Sequence, residues 1–113
     1  MDGSHVFADP RAALVAERER VVTELEETQV EGPGPMTYGS QAAAATHVFE
    51  QQRDLALRER NGLHLAEVDA ALARLGAGTY GACAACGNPI APERLEALPW
   101  ASLCIGCQRD AHR

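Results

Sequence analysis

Cysteine occurs four times in this 113-residue chain, as Cys83-Ala-Ala-Cys86 and Cys104-Ile-Gly-Cys107. A Cys-x-x-Cys pair presents two sulfurs from one tight turn. Two such pairs, seventeen residues apart, supply the four thiolates of a closed tetrahedral zinc site. Two other chemistries use the same motif. A redox Cys-x-x-Cys stands alone beside a βαβ pattern, which this sequence lacks. Two disulfides suit a secreted chain, whereas the start Met1-Asp2-Gly3-Ser4-His5 shows neither a basic n-region nor a following apolar run. The expectation is one structural Zn2+ held by Cys83, Cys86, Cys104 and Cys107, in a cytoplasmic protein. Four sulfurs leave no coordination position for water, so such an ion folds the chain and performs no chemistry. No nucleophile–base pair is evident elsewhere, and the sequence does not read as an enzyme.

The rest of the composition bounds what surrounds these cysteines. A chain this short builds one compact domain, or an elongated element with a small module. Its aromatics are Phe7, Tyr38, Phe49, Tyr80 and Trp100, so no large core is being filled, and the binding free energy of a structural metal makes up for it. No apolar run approaches the roughly 20 residues of a membrane span. The ten basic residues are all Arg, dispersed against sixteen acidic ones, for a formal charge of −6. Binding to a phosphate backbone is driven by clustered cations releasing counterions, so this balance argues for a protein partner rather than DNA.

Two helical stretches precede the knuckles. Asp9-Pro10 reads as a cap and first helical residue, and helix formers continue to about residue 30. Leu14, Val21 and Leu25 form an apolar stripe at i, i+7 and i+11, with the glutamates turned elsewhere. Gly32-Pro33-Gly34-Pro35 ends that helix. A second helix is expected over about 40–75, with Gly76 as its left-handed terminator. Leu65, Val68, Leu72 and Leu75 repeat at 3-4-3, and Val48 and Leu55 extend the stripe upstream with a drift at Gly62. At about 1.5 Å per residue these helices reach roughly 30 and 50 Å. The fold class is thus mainly α: an antiparallel helical hairpin, or coiled coil, over residues 1–75 with its turn at about 31–39. A four-cysteine zinc ribbon at its base occupies 76–113, with a brief helix at Pro92-Glu93-Arg94-Leu95 between the knuckles.

The residues around the cysteines carry more than zinc. Gly78-Thr79-Tyr80-Gly81-x-Cys83-x-x-Cys86-Gly87-x-x-Ile90, followed by Arg94-Leu95-Glu96-Ala97-x-Pro99 and Cys104-x-x-Cys107, resembles the zinc-finger signature of the DksA/TraR family. The resemblance is dense over about thirty residues and continues more loosely from Thr46 to Leu75. It implies a bacterial transcription regulator that binds RNA polymerase and not DNA. In that family the hairpin enters the secondary channel and the zinc end rests on the rim. Arg60 falls where the family has a basic residue in polymerase contact, against the plainer reading of an exposed helix arginine paired with Glu59 or Glu67. Arg94, within the Arg-Leu-Glu-Ala run, is a further candidate for partner contact, set against a bracing role inside the ribbon.

Departures from the pattern matter as much. The acidic hairpin tip of family members falls here at Ser40 and Ala43, with its small residue at Thr46, and Gly39 to Thr46 contains no carboxylate. Without negative charge such a tip neither holds the catalytic magnesium nor repels acidic groups beside it. The basic residues that form the guanosine tetraphosphate site in DksA-like members fall at Glu67, Leu98 and Gln108, none of them cationic, which implies no response to that alarmone. Trp100, the lone tryptophan, reads as packing within a small module, and His47 and His64 as surface or seam residues. The expected protein is a monomeric regulator contacting polymerase through Ser40, Ala43, Thr46, Arg60 and Arg94. The alternative is a zinc-ribbon coiled-coil adaptor that pairs with another protein or with itself through Leu14, Val21 and Leu25.

Overall fold

The computed structural model describes residues 9–28 and 41–112. Helix α1 spans Pro10–Glu27. Its start follows the expected chemistry: the Asp9 carboxylate accepts from the Arg11 N–H at 3.1 Å, and Pro10 takes the first turn, where no N–H is needed. Helix α2, Gln41–Ala77, is 37 residues long, about 55 Å at the usual rise. Short helices α3 (Pro92–Ala97) and α4 (Ile105–Ala111) belong to the cysteine region.

Helices α1 and α2 run antiparallel along the C-terminal part of α2. Leu14 and Val21 from α1, with Val68 and Ala71 from α2, are fully buried. Each large side chain among them contributes about 1.5–3 kcal/mol by leaving water. Leu72, Leu75, Tyr80 and Trp100 pack against the Leu14–Val68–Ala71 cluster, so the hairpin and the cysteine module share one core. Polar links flank it: Arg18 Nε meets Asp69 Oδ1 at 2.8 Å, and the Arg58 guanidinium donates to the carbonyls of Leu25 at 2.7 Å and Thr28 at 3.4 Å. Arg58 thereby supplies donors to the carbonyls at the end of α1 and places a positive charge at its negative pole.

Two expectations are corrected. Gly76 is helical, and the left-handed terminator is Gly78, with φ +79°. The N–H of Gly78 donates to the Leu75 carbonyl at 3.3 Å and that of Thr79 to Arg74 at 2.9 Å, the paired bonds of a Schellman ending. Val48 and Leu55 do not prolong the α1-facing stripe, since they are 48% and 55% exposed. Counting back by heptads from Val68 and Ala71 reaches Asn61 and His64, then Asp54 and Leu57. Val48 and Leu55 instead share a column with Asp69, on a different face.

Candidate metal centre

The first knuckle is shaped by backbone bonds. The Gly87 N–H donates to Cys83 O at 2.9 Å, Cys83 N–H to Asn88 O at 2.8 Å, and Ile90 N–H to Gly81 O at 2.8 Å. An isolated antiparallel bridge pairs Ala82 with Pro89. Gly81 and Gly87 both have positive φ, +89° and +78°, which a residue with a Cβ adopts only at a cost. The second knuckle opens α4, with Cys104 as its N-cap and Cys107 one turn later. Ala84 N–H donates to Ser102 O at 2.8 Å and sets one knuckle against the other.

These bonds bring the four cysteine sulfurs within 4.8 Å of one another. Cys86 Sγ and Cys104 Sγ stand 3.8 Å apart, the edge of a tetrahedron whose metal–sulfur bonds are about 2.3 Å. Cys83 is buried, Cys104 and Cys107 are half-buried, and Cys86 is exposed. The N–H groups of Cys104 and Cys86 point at the Cys83 sulfur and lower its pKa from 9.0 to about 6. Cys107, crowded by the sulfurs of Cys104, Cys83 and Cys86, is pushed up to about 12. Four sulfurs this close cannot all ionise without a cation among them, and a divalent ion supplies the charge that makes all four thiolates. The donor set and spacing fit one structural Zn2+.

The module is held to the hairpin by groups from both. Tyr80 donates its hydroxyl to Pro99 O at 2.9 Å, and Arg74 reaches the carbonyls of Trp100 and Ala101 at 3.5 and 3.4 Å. Arg94 Nε donates to Leu103 O at 3.1 Å, bracing the segment before Cys104. His64 ties three parts of the chain together. Its Nε2 lies 2.6 Å from Glu17 on α1, its Nδ1 3.1 Å from Glu67, and its ring meets Trp100 edge-on with centroids 4.5 Å apart. Burial alone lowers the His64 pKa, but the two carboxylates outweigh it and raise the pKa above 6.5. Glu17 falls from 4.5 to about 2, chiefly through its hydrogen bond with Arg20 and also through His64.

The other expected site residues do not gather in one place. Ser40 lies outside the described residues. Ala43 and Thr46 are exposed in the first turns of α2. Arg60 is exposed seventeen residues beyond Ala43, about 25 Å along the helix. Glu67 bonds to His64 rather than to Arg60, and no ion-pair partner for Arg60 occurs among the described residues. Leu98 caps α3, and Gln108 Nε2 lies 2.7 Å from His112. The His64 link escaped the sequence reading because Glu17 and Trp100 are remote in the chain. Only the heptad column Asn61, His64, Val68 and Ala71 pointed to it.

Comparison with known proteins places this geometry. Residues 78–113 match the prokaryotic dksA/traR C4-type zinc finger. The RNA polymerase-binding transcription factor DksA of Caulobacter vibrioides is 31% identical over 104 residues, covering 88% of this chain and 71% of that protein. The chain belongs to the DksA/TraR family. The DksA of Haemophilus influenzae is 33% identical over 95 residues, which is 84% of this chain and 61% of that protein. General stress protein 16O of Bacillus subtilis is 31% identical, with 94% of this chain and 64% of that protein covered. The chain thus spans somewhat under two thirds of those last two relatives. The structure of DksA2 from Pseudomonas aeruginosa superposes with a TM-score of 0.59 at 31% identity, covering 90% of this chain and 74% of that one. As in the family, the four cysteines form a C4-type zinc finger with one structural Zn2+.

Proposed function

We propose that this DksA/TraR protein regulates transcription by binding RNA polymerase. The observation that carries the reading is the family membership joined to a shape suited to it: a 37-residue helix projecting from a zinc-built base. Several relatives are named as RNA polymerase-binding factors. The hairpin enters the secondary channel, and the zinc module rests on the rim. Ala43 and Thr46 lie at the leading end of α2, Ser40 precedes that helix in the sequence, Arg60 presents a cation on the stem with no ion-pair partner among the described residues, and Arg94 sits in the module. Arg94 already spends its Nε on Leu103, which leaves the outer part of its guanidinium for a partner.

The protein acts in the cytoplasm as a polymerase-bound monomer, without enzymatic activity of its own. The net charge of −6 favours a protein surface over a duplex. With Glu67, Leu98 and Gln108 at the positions where relatives place cations, a polyphosphate finds no charge partner, and the regulator does not respond to guanosine tetraphosphate. The adaptor alternative loses its anchor, because Leu14 and Val21 are buried against α2.

The test is binding of the zinc-loaded protein to RNA polymerase of its host, compared with a variant lacking residues 39–46. Both are challenged with a secondary-channel factor of the Gre type. Competed binding that weakens on deletion is the expected result. Absence of binding at micromolar concentration overturns the reading.

A further inference from the structure

Pro10 and Ala13 in the first turn of α1 line an apolar pocket of about 200 Å³ together with Tyr80, Pro92, Leu95 and Pro99 of the zinc module. Two of its walls are fixed to their surroundings. The Tyr80 hydroxyl donates to Pro99 O at 2.9 Å, and Leu95 Cδ1 lies 3.6 Å from where a Cβ on Gly81 would stand. The pocket therefore reaches from the start of the hairpin to the residues leading into the first knuckle. Pro10, Ala13, Tyr80, Leu95 and Pro99 are only half-buried and Pro92 is exposed, so each keeps apolar surface that one more apolar group would remove from water. Glu96, the one charged group on the lining, is exposed.

We propose that Phe7 fills this pocket, so that the residues preceding α1 strap the hairpin to the zinc module. Residues 1–8 lie outside the described part of the chain, and size, chain position and direction each select Phe7 from among them. A cavity of about 150 Å³ holds a benzene ring, so this pocket has room for one phenyl group, and Phe7 is the largest apolar side chain of that segment. Only Ala8 separates Phe7 from Asp9, the N-cap of α1. Two residues of chain span at most about 7 Å, comparable with the first helical turn of about 5 Å that carries Pro10 and Ala13. Residues just ahead of an N-cap commonly pack against the fourth helical residue, which here is Ala13, a wall of the pocket. A ring tethered this closely meets the pocket at a millimolar effective concentration, whereas a side chain of another molecule gives up translational freedom to enter. With Phe7 in place, one ring joins α1 to α3, and Leu95 is held between that ring and Gly81, which steadies the approach to Cys83.

Nuclear magnetic resonance of the zinc-loaded full chain reads this directly. Cross-relaxation between the Phe7 ring protons and the methyl groups of Ala13 and Leu95 is the expected result. Phe7→Ala is expected to lower the thermal midpoint by about 5 °C, and Phe7→Leu by less, because leucine refills part of the pocket. Val6→Ala, one residue earlier, serves as the control and leaves the midpoint nearly unchanged. In a chain already carrying Leu95→Ala, Phe7→Ala costs less than it does alone, because wall and occupant share one contact. Absence of the ring-to-methyl contacts in the parent chain overturns the proposal. So does a Phe7→Ala midpoint no lower than that of Val6→Ala, which leaves the pocket to a group from another molecule.

Discussion

At the scale of single residues, His64 carries the most consequence. It joins α1 through Glu17, its own helix through Glu67, and the zinc module through Trp100. The two carboxylates raise its pKa above 6.5, so its contribution to stability is complete below that value and fades as pH rises through the folded-state pKa. Glu17 works in the opposite direction. Lowered from 4.5 to about 2, it contributes stability above pH 4.5 that is lost as pH falls towards 2. Thermal unfolding across pH 6 to 9, on zinc-saturated protein, is expected to show stability declining on the alkaline side, with His64→Gln flattening that limb. On the acid side, protonation of the thiolates releases zinc from every variant, so Glu17→Gln is read as a difference from the parent chain. An alkaline limb that His64→Gln leaves unchanged would remove the histidine from the account.

Among the elements, the end of α2 shows how one residue of offset redirects a chain. Gly76 and Gly78 both follow the last apolar residue, and the sequence pattern favoured the first of them as terminator. The helix continues through Gly76, and the Leu75 and Arg74 carbonyls accept from the N–H groups of Gly78 and Thr79 just beyond it. The positive φ therefore falls at Gly78, and a side chain at either glycine meets nothing within 4 Å. Opposite outcomes follow for the same substitution. Gly78→Ala is expected to cost about 1 kcal/mol, from forcing a Cβ into the left-handed region. Gly76→Ala is expected to gain about 0.5–1 kcal/mol as an ordinary helix position. Denaturant unfolding of the two variants separates them, and equal effects would show that the ending is not where the backbone angles put it.

For the molecule as a whole, the shared core decides cooperativity. Tyr80 and Trp100 of the zinc module pack against Leu14, Val68 and Ala71 of the hairpin, and Arg74 reaches carbonyls in the module. Removing zinc with a chelator is expected to lower helicity and shift Trp100 fluorescence in one coincident transition. Helicity that persists after the fluorescence change would mean that the hairpin stands without its base. Much of this was legible in the chain. Two Cys-x-x-Cys pairs named the zinc site, since sulfur chemistry at that spacing has few other uses, and Asp9-Pro10 and Pro92 opened helices by local capping rules. The face of α2 that meets α1 was less legible, because Val48 and Leu55 suit a stripe as well as Asp54 and Leu57 do, and only packing chooses between columns. Sequence by itself determined the helices, the metal ligands and the family, all set by local spacing and short-range chemistry. Tertiary structure alone decided that Glu17, His64, Glu67 and Trp100 meet, that Arg58 closes α1, and that Val48 and Leu55 stay in solvent. Those outcomes depend on which side of a helix another element covers, and residues 47 or 30 positions apart leave no local signal of it.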